Sequence, residues 1–564
     1  MAQCITKKRN GIYSHILCNE EFLHLFLWRY QMKKKWTLWA VLCMAFVCIM
    51  SLTAAAAGTA TIGQCIISGA NQVTVVASAS GVASDDGNLY LFEMKPYQNS
   101  ISGNFCAVAA NAPTVTFVTS LDHGTADSKL YSKFVVAAVR GGTFVPVSQE
   151  FYITNPEAVA THTAPIPVAK SIKGITADNA TLMQLADLGV HHASYELAIN
   201  RFFTPGASIP YTYNGKVYNF NQGVIAEYDM VMTLFAAQQV EVTMNLVNYY
   251  DPTTALTVKP AARVGGYRHY AFNTDEQQGA ESIAALLSFL TSRYSNPATG
   301  LISNWIIGNE VNNNNPWYFA GNYNVTNFTL EYEKAFRMCY NAIKSENANA
   351  RVLTCIDQRW NWEDGTKNQY AAKKFMDEFN TDIISHGNID WGVAWHPHPV
   401  PLTAARFWDM PSNYKALRLI DHTANTKMIN PQNMEVFTNY MSQPAFLAPN
   451  GQVRYIIISE ILFNSMTSNE ATQAASFAYA YKLAEKNPLI KGFVVHRMLD
   501  NVYEKQADKI ACGIYNCDDA TGLPTTPKQM YDVFKYIDTP QSAAYTQFAL
   551  PIIGASSWAA LGVN

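Results

Sequence analysis

The chain has 564 residues, 49% of them hydrophobic, and a formal net charge of −3. That length and apolar content suffice for a large buried core and for more than one domain. The lack of a basic excess argues against a nucleic-acid partner, because binding phosphates requires Lys and Arg in surplus.

Lys33, Lys34 and Lys35 precede an apolar run over residues 38–52, and small residues follow at 53–57. A basic start, an apolar middle and a small-residue end make an export signal, so a secreted or extracellular protein is expected. The apolar run is short for a membrane span, which leaves an uncleaved N-terminal anchor as the only membrane contact considered. Met32 is the natural start of such a signal, so residues 1–31 read as an upstream extension and residues 1–57 are set aside from the fold. Six cysteines lie beyond this segment. In an exported protein Cys65–Cys106 and Cys512–Cys517 are candidate bridges, with buried thiols as the alternative.

Residues 58–158 contain short runs of β-branched and apolar residues, at 73–77, 89–92, 114–117, 134–138 and 144–147, separated by turn signals such as Asp86-Gly87 and Gly141-Gly142. This pattern predicts an immunoglobulin- or fibronectin-like β-sandwich. A linker containing Pro and Thr follows from Asn155-Pro156 to about Pro167.

From residue 169 to the end the pattern alternates. Apolar runs at 171–175, 190–199, 240–247, 301–307, 351–356, 390–395, 453–458 and 490–495 are each followed by an amphipathic segment. Asn214-Gly215 marks an inserted hairpin, residues 403–448 form a long polar insertion, and residues 548–561 read as a strand or packed tail. Eight strand–helix units predict an α/β fold, a (β/α)8 barrel over residues 169–564. No Gly-rich phosphate loop follows the first strand (Ile175-Thr176-Ala177-Asp178), so no nucleotide cofactor is expected.

Two carboxylates stand at the ends of apolar strands: Glu310 after the fourth and Glu460 after the seventh. Eightfold closure points them at one another across the barrel mouth, and two carboxyls flanking one cleft are the minimum equipment for glycoside hydrolysis. Their repulsion is expected to keep one of them protonated as an acid.

Here Trp305-Ile306-Ile307-Gly308-Asn309-Glu310 resembles the strand-four Asn-Glu motif of clan A retaining glycosidases. Ile457-Ile458-Ser459-Glu460-Ile461 resembles that clan's strand-seven nucleophile motif. The resemblance spans the barrel. It implies that Glu310 is the acid/base, that Glu460 is the nucleophile, and that Asn309 holds the sugar's 2-hydroxyl. The chain lacks the clan's arginine near the end of strand two and its tryptophan at the end of strand eight, which implies a divergent branch.

Other strand-end residues suit a polar and aromatic sugar cleft: Asn248 and Tyr249 after strand three, Trp317 after Glu310, Trp360 and Trp362 after strand five, and Arg497 and Asp500 after strand eight. His396 and His398 end strand six. They are assigned to substrate or nucleophile contact; no metal ligand set completes them in the sequence. The resulting expectation is an exported glycosidase with a carbohydrate substrate, no nucleic-acid partner and no cofactor. Two alternatives are a non-catalytic carbohydrate-binding surface protein and a metal-dependent hydrolase using His396 and His398.

Overall fold

Eight runs pair side by side in chain order, every pair parallel. They are β1 (Lys173–Thr176), β2 (His192–Ala198), β3 (Glu241–Val247), β4 (Gly300–Ile307), β5 (Arg351–Ile356), β6 (Gly392–Trp395), β7 (Ile456–Ile461) and β8 (Ile490–Val495). β8 pairs back onto β1, so the sheet closes into a barrel. The computed structural model describes residues 58–363 and 369–563; the segment expected to be an upstream extension and an export signal lies outside the described residues.

Helices follow the strands: α1 (Leu185–Leu188), α2 (Gln222–Ala237), α3 (Gln277–Arg293), α4 (Val325–Glu346), α5 (Ala372–Ser385), α6 (Met434–Met441), α7 (Glu470–Glu485) and α8 (Gln529–Tyr536). Asn221, Asn324 and Asn469 start α2, α4 and α7 by accepting a backbone N–H that the first turn leaves without a partner. The strands are covered by helices outside and filled by side chains inside. That is why β4 is buried at every position instead of alternating.

Ile306, Leu353, Cys355, Ala394, Ile457 and Val494 fill the barrel interior. Below them lies a polar plug. Asn304, the one strongly polar residue of β4, donates to Glu241 Oε1 at 3.0 Å, and Arg351 and Tyr455 donate to the same oxygen at 2.8 and 2.7 Å. With this end of the barrel plugged, the opposite end, where the strands finish, is the open one.

The N-terminal residues form two antiparallel sheets. One pairs Thr61–Gly69, Gln72–Ser78 and Thr114–Ser120. The other is built on Asn88–Met94 and Lys133–Arg140. Val73, Val75, Val115 and Phe117 from the first share one core with Leu89, Leu91, Phe134 and Val136 from the second. The expected strands are all present. The apolar runs do not mark Thr61–Gly69, where Gly63 and Gln64 are both exposed and interrupt the alternation, nor the short strands Ala107–Ala110 and Phe151–Tyr152. Tyr152 N–H donates to His386 O, and Asn341 Nδ2 to Leu130 O, which ties these sheets to the back of the barrel.

Of the two alternatives for residues 548–561 the packed tail holds and the strand does not: Ala549–Ile553 is a helical turn packed on α7, and Ala559–Leu561 is another. Of the two for the cysteines, thiols hold and bridges do not: all six are free. Cys512 Sγ turns toward Glu504 Oε2 at 3.8 Å, and Lys505 Nζ reaches toward Cys517 Sγ at 4.0 Å, so neither sulfur engages the other. β7 runs from Ile456 to Ile461, not 453–458. Arg454, which precedes it, uses its guanidinium on the carbonyls of Phe446 and Ile389 and does not join the sheet. Among the described residues no helix is long and apolar enough to cross a membrane.

Candidate active site

β4 ends at Ile307, and the chain then turns sharply inward. Gly308 sits at φ +81°, where a Cβ would lie 2.5 Å from the Tyr318 ring, so glycine is required there. Glu310 follows at φ +40°, a left-handed conformation seldom adopted by a side chain of this size. The neighbouring strand holds it: Glu310 N–H donates to Cys355 Sγ at 3.2 Å, and Val311 N–H to Cys355 O at 2.9 Å. The Glu310 carboxylate is thereby set into the barrel mouth, with the residue only 7% exposed. Glu460, in the last turn of β7, faces the same mouth.

Two histidines from the end of β6 join the carboxylates. His396 Nδ1 lies 3.0 Å from Glu310 Oε1, and its Nε2 lies 3.0 Å from Ser459 Oγ. His398 Nε2 lies 3.7 Å from Glu310 Oε1 and 3.6 Å from Glu460 Oε1, so a single imidazole nitrogen stands between both carboxylates. His496, at the end of β8, approaches Glu460 Oε2 to 3.9 Å.

The electrostatics follow from this crowd of imidazoles. Burial alone would raise the Glu310 carboxyl, but the hydrogen bond from His396 and the closeness of His398 outweigh it and hold Glu310 well below the usual carboxylate range. Burial raises Glu460 as well; the closeness of His496, His396 and His398 overcomes that and lowers it. Burial opposes a charge on His396, whereas Cys355, Glu460 and Glu310 favour it, and the net shift is strongly upward. Burial also pushes the Cys355 thiol up, so that group is neutral near pH 7 and the carboxylates are what keep the imidazolium. The expectation that one carboxyl is raised by repulsion is therefore corrected. Both carboxyls are shifted downward, and His396 beside them is shifted upward.

The rim carries an aromatic wall. Tyr249 and His269 meet edge to face with ring centroids 5.0 Å apart, and His269 and Trp317 lie 5.5 Å apart. Burial pushes His269 down to about 4, so the wall is neutral near pH 7. Tyr249 Oη donates to Glu196 Oε1 at 2.8 Å, which places a third carboxylate in the cleft from β2. Asn245, in register with Glu196, donates to Asn309 Oδ1 at 2.9 Å and leaves the Asn309 amide NH2 to donate. Arg497 Nη1 donates to Glu504 Oε1 at 3.0 Å and approaches Asp178 at 3.6 Å.

Of the residues expected at the site, Glu310, Glu460, Asn309, His396, His398, Tyr249, Trp317 and Arg497 line this mouth. Asn248 does not: both ends of its buried amide are bonded to Thr257. Trp360 is 1% exposed, packs on Phe437 and Tyr440, and donates to Ala424 O, so it supports the 403–448 insertion from beneath. Trp362 lies under Lys427 of that same insertion. Asp500 is paired with Lys528 beneath the rim. Glu196, His269, Ser459, His496 and Glu504 were not singled out from the sequence. His496 had a usable signal, as the first residue after β8. Glu196 and His269 had none, because their placement depends on register and on a loop that crosses the rim.

Glu310, His396 and His398 offer ligand atoms within 4.8 Å of one another, as do His496, Glu504 and Cys512. The first group is arranged for a proton instead of a metal. Leu462 N–H donates to His398 Nδ1 at 3.3 Å, which puts the ring proton on Nε2, facing the carboxylates, where a metal would need a lone pair. In the second group Arg497 already neutralises Glu504. A cavity of about 300 Å³ between the N-terminal sheets and the 208–221 hairpin, lined by Tyr97, Tyr131, Tyr213 and Tyr218 among others, borders none of the cleft residues.

Residues 165–561, which include all eight barrel strands and both carboxylates, match a single sequence family. The chain belongs to the family of unknown function DUF5722. No curated protein matches it. Solved structures similar to this DUF5722 chain include glycoside hydrolases. One is a family 39 glycoside hydrolase from the gut symbiont Bacteroides cellulosilyticus WH2, at 12% identity and TM-score 0.43, covering 82% of this chain and 79% of that one. Another is a hyperthermophilic β-glucosidase from Pyrococcus furiosus, at 14% identity and TM-score 0.43, covering 66% and 88%. A third is a family 1 β-glucosidase from Thermotoga maritima, at 13% identity and TM-score 0.40, covering 65% and 85%.

Proposed function

We propose that the chain is an exported glycoside hydrolase that cleaves an oligo- or polysaccharide with retention of anomeric configuration. The observation that carries this reading is the single imidazole nitrogen of His398 standing 3.7 Å from Glu310 and 3.6 Å from Glu460, two carboxylates from opposite strands of one barrel mouth. Glu460, lowered and 25% exposed at its side chain, is the nucleophile that attacks the anomeric carbon. Glu310 passes a proton to the departing glycosidic oxygen and takes it back from water in the second step. That proton is drawn from the Glu310–His396 pair, since Glu310 is ionised at rest. His398 Nε2–H stabilises charge on both carboxylates as it shifts between them. Tyr249, His269 and Trp317 offer apolar faces to a sugar ring, and Asn309 donates to a hydroxyl.

The N-terminal sheets fit an immunoglobulin- or fibronectin-like sandwich that packs on the barrel, and residues 33–57 fit an export signal. Glu310→Gln and Glu460→Gln are each expected to lower turnover of a cleaved aryl glycoside by about three orders of magnitude or more while leaving the thermal midpoint near that of the parent. Full activity in either variant rejects the assignment. Glycan binding without release of product would indicate a carbohydrate-binding protein instead, and activity abolished by a chelator and restored by a divalent ion would indicate a metal-dependent hydrolase.

A further inference from the structure

We propose that Glu196 selects the substrate by accepting hydroxyl hydrogen bonds from a neutral sugar, and that the cleft excludes uronic acids. This rests on the glycosidase reading and adds the substrate class to it.

Glu196 differs from the other two cleft carboxylates. Glu310 and Glu460 are each surrounded by histidines, whereas Glu196 has one direct hydrogen-bond partner, the Tyr249 hydroxyl at 2.8 Å on Oε1. Among the described residues no hydrogen bond reaches its other oxygen, and His269 Nε2 stands 3.9 Å from it. The side chain is 48% exposed, so the carboxylate is accessible from the cleft. It stands beside the wall of Tyr249, His269 and Trp317, against which a pyranose ring would rest.

Burial raises the Glu196 carboxyl; with Oε1 taken by the Tyr249 hydroxyl, Oε2 is the oxygen to which a sugar hydroxyl can donate. A neutral sugar therefore satisfies Oε2 without bringing a charge. A uronate meets Glu196, Glu310 and Glu460 together, with like charges opposed in a site sheltered from water. Two guanidiniums border the wall, and both have partners: Glu504 and Asp178 engage Arg497, and Arg268 donates to the Tyr503 hydroxyl and lies over its ring.

The test measures 4-nitrophenyl glycosides of neutral hexoses and pentoses beside the glucuronide and galacturonide, with the full chain, Glu196→Gln and Tyr249→Phe. The parent is expected to cleave a neutral glycoside and no uronide. Glu196→Gln should raise KM for that glycoside about tenfold or more with kcat changed by less than about threefold, and Tyr249→Phe should act in the same direction more weakly. A preference for a uronide, or an unchanged KM in Glu196→Gln, overturns the proposal. A second reading is independent of turnover: the corresponding free neutral sugar should raise the thermal midpoint of the parent and not that of Glu196→Gln. If no glycoside is cleaved yet this difference persists, the hydrolase reading fails and the role of Glu196 stands; if the sugar shifts neither protein or both alike, the role of Glu196 is rejected.

Discussion

Glu310 is at once buried, left-handed in its backbone and ionised, and each property depends on a neighbour that can be removed separately. His396 is the most informative of these. Its Nδ1 lies 3.0 Å from Glu310 Oε1 and, in the mechanism proposed above, it supplies the proton that the leaving group needs, so His396→Gln should lower kcat on an aryl glycoside by about 10²- to 10⁴-fold. An activated glycoside whose leaving group needs no proton should lose far less, and equal losses on both substrates would place His396 in a structural role. Glu310 and Glu460 were legible from the sequence because each follows an apolar strand within a short motif. The direction of their ionisation was not, since it depends on three histidines brought in from β6 and β8. Asn248 and Trp360 were misplaced for a related reason. A polar or aromatic residue at a strand end can face the cleft or the loop packed behind it, and sequence alone does not separate the two.

The strand–helix elements were more legible than their contacts. β5 and β8 have the bounds that their apolar runs predict, while β7 is displaced by three residues because Arg454 ahead of it serves backbone carbonyls. The loop after β8 shows what fixes the rim. Asp500, in that loop, is paired at 2.8 Å with Lys528, which immediately precedes α8, and both side chains are essentially inaccessible. Burial raises Asp500 even with Lys528 beside it, so this pair is retained only while both partners are present. Asp500→Ala leaves a buried ammonium with only Ser465 Oγ and a backbone carbonyl, and should cost about 3–5 kcal/mol in urea denaturation. A loss below about 1 kcal/mol would mean that the loop relaxes and lets water in.

Across the whole molecule, barrel closure joins the start of the barrel to the segment that follows its last helix. Lys173 at the head of β1 and Ser171 before it both donate to Asp538 at 2.6 Å, just beyond α8. Burial raises Asp538, but hydrogen bonds from His191, Lys173 and Ser171 outweigh it and take it down to about 2. A carboxyl lowered on folding stabilises the fold above its unfolded pKa of about 4, and that contribution, about 2–3 kcal/mol, is lost as pH falls toward 2. Asp538→Asn should therefore be less stable than the parent near about pH 5, with the gap narrowing through about pH 3 and closing only below about pH 2, as urea midpoints across that range would show. The eightfold alternation that predicts this closure was plain in the sequence, whereas the contacts that lock it lie more than three hundred residues apart in the chain and were not. The same closure sets Glu310 against Glu460, and the most direct test of that arrangement is the proton NMR spectrum of the first product released from a cleaved glycoside. Retention of the substrate's anomeric configuration, abolished in Glu460→Gln, is the expected result; an inverted first product would contradict the two-step mechanism.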